Sequence, residues 1–163
     1  MAIEIERKFK LRNDIWRDQI RSSSWLRQGY LANTSRASVR VRLADQQGWL
    51  SVKAMTPGRA RAEYEAPIPK AEANEMLERL CEGALIEKWR HTVVHDGNEW
   101  EIDEFLGDNA GLVVAELELD TEDEEFASPP WLGEEVTHDE RYYNFKLSLH
   151  PWRLWPENLQ ARQ

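Results

Sequence analysis

Apolar and polar residues alternate with a period of two along the first two-thirds of the chain, the pattern of half-buried strands. It predicts strands over residues 3–11, 26–32, 38–44, 49–55, 61–68, 86–95, 98–106 and 112–120. Residues 14–24 are open between a short helix and a loop. Strands 38–44 and 49–55 read as a hairpin with Gly48 near its turn, and Pro57-Gly58 breaks the chain after it. Asp96-Gly97 is a strong two-residue hairpin signal. The period changes over 70–82, where Ala73, Met76, Leu77, Leu80 and Cys81 fall on one helical face. Pro69 suits the start of that helix and Gly83 its end. Thr121 with Glu124 matches a capping box for a short helix ending near Phe126, before Pro129-Pro130. Asp139 can cap a last helix carrying Tyr142, Phe145, Lys146 and Leu149, stopped by Pro151. The aromatic tail beyond Pro151 has no assigned place. The fold class is α+β, an antiparallel sheet of about eight strands that can close into a barrel or tunnel, which removes exposed edges.

Successive strand residues point to opposite faces, so each strand can be sorted into two rows. Glu4, Glu6 and Lys8 share a face opposite Ile3, Ile5 and Phe9. Arg40 and Arg42 form a pair, and Lys53 shares a face with Ser51. Glu63 and Glu65, Lys88 and Arg90, Glu101 and Asp103, and Glu116 and Glu118 form four more pairs. An ordinary half-exposed sheet also has one wet face, but it mixes its charges, because like neighbours repel. Here pairs of one sign recur strand after strand. Acid pairs can hold a divalent cation, and basic pairs can hold phosphate oxygens, arginine in a two-pronged contact. These eight acids and six bases on one concave face suit a polyphosphate with bound metal.

Composition narrows the class. At 163 residues the chain fits one domain, and 41% hydrophobic with 31% charged residues makes it globular. A net charge of -9 argues against general binding to nucleic acid or anionic membrane, though not against a small anion at a local basic cluster. No apolar run reaches the length of a membrane span, and two acids stand among the first residues where a signal peptide needs bases, so a cytoplasmic setting is expected. Cys81, the single cysteine, allows no internal disulfide. No Gly-x-x-x-x-Gly-Lys loop is present. His91 and His95 read as packing or surface residues, and Trp49, Trp89 and Trp100 as wall or core residues outside a tunnel. Glu122 to Glu125 reads as a solvated helix start.

Glu4-Ile5-Glu6-Arg7-Lys8 resembles the amino-terminal signature of the CYTH superfamily, the triphosphate tunnel metalloenzymes. The likeness continues in order through Gln28-Gly29-Tyr30-Leu31, Val39-Arg40-Val41-Arg42, Ser51-Val52-Lys53, Glu63-Tyr64-Glu65, Ile86-Glu87-Lys88-Trp89-Arg90, Trp100-Glu101-Ile102-Asp103 and Ala115-Glu116-Leu117-Glu118-Leu119. Trp131-Leu132-Gly133, Glu135-Val136-Thr137 and Arg141-Tyr142 resemble its short bacterial branch. The resemblance implies a single tunnel domain over 1–150, with 151–163 as a tail, and an eight-stranded antiparallel barrel with helices packed outside. It implies Glu4, Glu6, Glu116 and Glu118 as ligands of magnesium or manganese. It implies Lys8, Arg40, Arg42, Lys53, Lys88 and Arg90 on the phosphates, with Glu63, Glu65, Glu101 and Asp103 positioning those cations or a second metal.

The activity expected by resemblance is hydrolysis of inorganic triphosphate to pyrophosphate and phosphate. Water would attack a terminal phosphorus in line, oriented or activated by Tyr30 with Lys8 or Lys88. An adenylate cyclase of the class IV type or a thiamine triphosphatase is the alternative among enzymes, and a non-catalytic polyphosphate or nucleotide sensor the alternative of another class. The expected partner is a small triphosphate, with neither nucleic acid nor membrane, and a homodimer stays open.

Overall fold

The computed structural model describes residues 2–56 and 60–160, so the expected break at Pro57-Gly58 lies outside the described residues. The strands are β1 (Ala2–Leu11), β2 (Ile20–Asn33), β3 (Ala37–Ala44), β4 (Gln47–Ala54), β5 (Ala60–Ile68), β6 (Glu82–His95), β7 (Asn98–Phe105), β8 (Val113–Glu118) and β9 (Leu132–Glu135). The α-helices are α1 (Lys70–Arg79), α2 (Asn144–Leu149) and α3 (Pro156–Gln160). Neighbours run in the order β5-β4-β3-β2-β6-β7-β8-β1, and β5 pairs back onto β1, which closes an eight-stranded antiparallel barrel.

The ninth strand is an addition to that ring. β5 holds one edge of β1 only over Ala2 to Ile5. β9 takes the rest, pairing Phe9 with Glu135 while the other side of Phe9 faces Ala115. Four short residues of β9 carried too little alternation to be read as a strand. β2 and β6 are also longer than expected, 14 residues each, and pair with one another along most of their length.

The barrel is charged inside and apolar outside, so its packing lies against the outer wall. Phe9, Trp100, Ile102, Ala115 and Leu117 pack outward with Trp16, Trp131 and Leu132, under a 3-10 turn (Ile15–Gln19) and the long connection into β9. Val41 and Leu43 pack under Ala73 and Leu77 of α1. Burying an aliphatic side chain of this size contributes about 1.5–3 kcal/mol, so these two covers hold the wall in shape.

Several local readings give way to packing. The 38–44 hairpin turns at Asp45, which takes a φ of 53°, and not at Gly48. Gly48 lies inside β4, where a Cβ would stand 2.7 Å from the Cβ of Ala73, so glycine lets α1 approach the sheet. α1 ends at Arg79 with Leu80 as its cap, and Gly83 opens β6 at φ 73°. The expected helix at 121–126 is a turn: Glu124 donates its N–H to the Thr121 carbonyl at 3.3 Å, and its side chain accepts from Asp120. Phe126 is drawn instead onto Phe9 and Trp100, with ring centroids 5.9 and 5.4 Å apart. Asp139 does cap, but it caps a single 3-10 turn (Glu140–Tyr142), and Tyr143 is extended before α2 begins. Trp49, expected outside the tunnel with Trp89 and Trp100, shares the inward row of Ser51 and Lys53.

One end of the bore is filled. The inward rows run from charge into Ile86, Phe105, Leu112 and Val114, and these pack with Tyr142, Leu147 and Trp155. Trp155 is 1% exposed, meets Tyr142 edge to face at 5.1 Å and donates its indole N–H to the His150 carbonyl. The tail beyond Pro151, unplaced by its pattern, thus packs at this end. Three successive residues before it cross the bore. Tyr143 lies under the Arg61 guanidinium, Asn144 accepts from Lys88, and Phe145 meets Tyr30 edge to face.

Candidate active site

The inward rows enclose a cavity of about 1010 Å³. Thirteen of the fifteen expected site residues line it: Glu4, Glu6, Lys8, Tyr30, Arg40, Arg42, Lys53, Glu63, Glu65, Arg90, Glu101, Glu116 and Glu118. They come from eight different strands, and the antiparallel register sets some bases beside acids while Glu6 faces Glu118 and Glu101 faces Glu116. Lys8 stands opposite Glu116, Lys53 opposite Glu63, and Arg40 opposite Ser51.

The other two, Lys88 and Asp103, share the inward rows but are not on the cavity lining and have no exposed side-chain surface. Lys88 Nζ donates to Asp103 Oδ2 at 2.7 Å and to Asn144 Oδ1 at 3.0 Å. Arg90 clasps the same carboxylate with two bonds of 2.8 Å, and also reaches Glu101 at 2.7 Å. Asp103 is thus fully engaged by two cations, which hold its carboxyl far below the usual range despite burial. Burial also pushes Lys88 down, to about 7, opposed by Asp103 and reinforced by Arg90 and Arg42, which here disfavours its charged form. One carboxylate cannot match two cations, so Lys88 bears the mismatch.

On the opposite side, Lys8 Nζ bridges Glu116 at 2.7 Å and Glu6 at 3.3 Å. Burial alone would lower its pKa, but these carboxylates raise it well above the ordinary lysine value. These contacts favour the charged form of Lys8. Lys53 meets Glu4 at 2.6 Å, Arg40 meets Glu63 at 3.7 Å, and Ser51 donates to Glu65 at 3.0 Å. Glu118 makes no ion pair among the described residues. Its pKa is raised by burial and by Glu4 and Glu6.

Among the described residues, no three His, Cys, Asp or Glu side chains are gathered about a common metal position. The expected ligands Glu4, Glu6 and Glu116 are each held by a lysine, which supplies the positive charge their cluster needs. The donor set nevertheless suits a hard divalent cation. It is all carboxylate oxygen, and Glu118 feels repulsion from Glu4 and Glu6, offset in part by Lys53, that such an ion would reduce.

Sequence reasoning missed Arg61, Asn144 and the apolar plug. Arg61 lines the cavity one inward step before Glu63, so the same alternation that marked Glu63 and Glu65 reaches it. Its guanidinium packs 4.4 Å from the Tyr143 ring centre. Asn144 gave no such signal, because its place depends on the extended link at Tyr143. His91 is an outer-wall residue, 2.6 Å from Ser23 Oγ and packed on Trp16, away from the cavity rows.

The CYTH domain family matches residues 2–148. The chain belongs to that family. It is 45% identical over 157 residues to an inorganic triphosphatase of Acetivibrio thermocellus, covering 96% of this chain and 100% of that one. It is 38% identical over 150 residues to an inorganic triphosphatase of Nitrosomonas europaea, covering 90% of this chain and 97% of that one. A crystal structure of an inorganic triphosphatase superposes with a TM-score of 0.66 at 37% identity, over 90% of this chain and 97% of the other. A solved protein of Pyrococcus horikoshii shares the fold at 16% identity and a TM-score of 0.58, over 74% of this chain and 81% of the other. No helix among the described residues is long and apolar enough to cross a membrane.

Proposed function

We propose that this CYTH protein is an inorganic triphosphatase, hydrolysing triphosphate to pyrophosphate and phosphate inside its barrel. The observation that carries the reading is the closed barrel whose inward rows bring acids and bases together around a cavity of about 1010 Å³. The two relatives named inorganic triphosphatase, matched over nearly their whole length, support it. A cavity closed at one end by Tyr143, Asn144 and Phe145 suits a compact linear anion.

Lys8, Arg40, Arg42, Lys53 and Arg90 bind the phosphate oxygens and offset the charge that the phosphates bring into a buried space. Glu4, Glu6, Glu116 and Glu118 would hold magnesium or manganese, which when bound neutralises phosphate charge and polarises the phosphorus. Enzymes of this kind are generally metal-dependent. With such an ion on Glu4, Glu6 and Glu116, the carboxylates that now pair with Lys8 and Lys53 would be shared with it, and both lysines would be available to the substrate. Glu63 and Glu101 orient Arg40 and Arg90 beside them, and Glu65 accepts from the Ser51 hydroxyl. Tyr30, on the wall and 5% exposed, orients the attacking water. Lys88 acts on Arg90 through Asp103 and does not itself meet substrate. The cytoplasmic setting expected from the sequence belongs to the same reading.

The test is phosphate release from inorganic triphosphate, ATP and thiamine triphosphate, each with magnesium, manganese or chelator. Rapid metal-dependent release from inorganic triphosphate, lost in Glu4→Gln, is the expected result. A cyclic product from ATP would make the protein a cyclase, and tight binding without turnover would make it a sensor.

A further inference from the structure

The cations of the cavity wall are held in different ways. Lys8, Lys53 and Arg90 each touch a carboxylate within 2.6–2.7 Å. Arg42 makes no ion pair among the described residues. Its Nε donates to the amide oxygen of Gln28 at 3.0 Å, directly across the β2–β3 ladder. Gln28 is 0% exposed, so this contact is made in the dry part of the wall. Arg61, the other wall cation without an ion pair among the described residues, rests on the face of Tyr143, which fixes no direction in its plane.

The chemistry of this pair is one-sided. A guanidinium only donates, so the Gln28 oxygen must face Arg42 and its amide nitrogen must face away. That nitrogen has no hydrogen-bond partner among the described residues. A buried donor left unpaired is costly, so stability does not explain why glutamine stands here. A glutamate has nearly the same shape, would accept the same bond and would leave no orphan donor. It would also neutralise Arg42. Burial, with Arg40 and Arg90 adding to it, already pushes Arg42 down to about 10, which leaves it charged at neutral pH. Its two terminal nitrogens have no acceptor among the described residues, and Arg42 lines the cavity.

We infer that Gln28 is a positioning residue that holds Arg42 as the uncompensated cation of the cavity, aimed at the oxygens of an unesterified phosphate group. The inference rests on the triphosphate reading and names the corner where the anion gains most. Phosphate oxygens arriving at Lys8, Lys53 or Arg90 must compete with a resident carboxylate. At Arg42 there is no ion pair among the described residues to break. An interaction that substrate and transition state share equally appears in KM and not in kcat.

The experiment compares wild type with Gln28→Glu and Gln28→Leu. It measures thermal unfolding, kcat and KM for inorganic triphosphate with metal, and direct calorimetric binding of inorganic triphosphate. Gln28→Glu should unfold at the same temperature as wild type or higher. Its KM should rise and its binding weaken by about tenfold or more, with kcat nearly kept. Gln28→Leu leaves Arg42 charged but unfixed, and should raise KM by less. Wild-type KM and binding in Gln28→Glu would overturn the inference, as would a fall in kcat with KM unchanged. Should Gln28→Glu fail to fold, Gln28→Leu decides: a raised KM supports the inference and an unchanged KM overturns it. Failure of the triphosphate reading is seen separately, as a wild-type protein that neither binds nor turns over triphosphate.

Discussion

Lys88 shows how far burial can separate a charged side chain from the task its row suggests. It shares the inward row of Arg90, yet it is spent on Asp103 and Asn144. Replacing it by methionine keeps most of the volume and removes one cation from a buried cluster. Breaking a buried pair commonly destabilises by about 3 kcal/mol or more, and Asp103 keeps Arg90, so the low end applies. Denaturant unfolding of Lys88→Met measures this. The pH dependence has a definite sign. The folded lysine is pushed down to about 7, while in the unfolded chain it returns to about 10.4. Between those values the unfolded chain carries a proton that the folded chain lacks, so stability rises with pH across that window. Wild type should therefore gain on Lys88→Met as pH climbs from 7 toward 10. A difference that stays flat over that range would mean that Lys88 keeps its proton when folded.

At the scale of elements, the C-terminal segment does two things at once. It fills the apolar end of the bore through Tyr142, Leu147 and Trp155, and it reaches the charged wall through Asn144. Trp155→Ala should cost about 3–5 kcal/mol as a cavity in packed core. It should also weaken triphosphate binding, because Tyr143, Asn144 and Phe145 lose their support. Unfolding and calorimetry on the one variant read both effects, and a stability loss with unchanged binding would separate the plug from the site. This coupling was not legible in the sequence, and the reason is geometric. Alternation tells which face a strand residue takes, and it placed Glu4, Arg40, Glu63 and Glu116 on the inner wall correctly. It does not tell how far along the bore each residue sits, because that depends on strand tilt and stagger. Lys88 and Asp103 were therefore read as cavity residues when they are not on its lining. Trp49 carried the parity of Lys53, but its bulk suggested an outer core. The capping-box signal at Thr121 was a local preference that the aromatic cluster around Phe126 outweighed. Gln28 gave no signal of its own, since a neutral residue matters there only once its neighbour is known to lack a carboxylate.

The whole molecule sets a field against the ligand it is built to hold. The net charge is -9, and Glu99, Glu101 and Asp120 stand on the cavity's lining. A triphosphate approaching from solvent meets this negative field before it meets the basic walls. Cations that steer many anionic ligands toward their sites are here buried among carboxylates, where their far field largely cancels. Salt should then act in the opposite sense to ordinary electrostatic steering. Raising ionic strength from about 0.01 to 0.15 M shortens the screening length from about 30 to about 8 Å. That is enough to hide the net charge from a ligand outside the barrel, while contacts inside the barrel are screened much less. The association rate of triphosphate should therefore rise with salt over this range, with the dissociation rate changing less. Stopped-flow binding at several salt concentrations tests it. A rate that falls with salt would mean that Arg40, Arg42 and Arg61 project their charge through the mouth, and that the acids around them do not neutralise it at a distance.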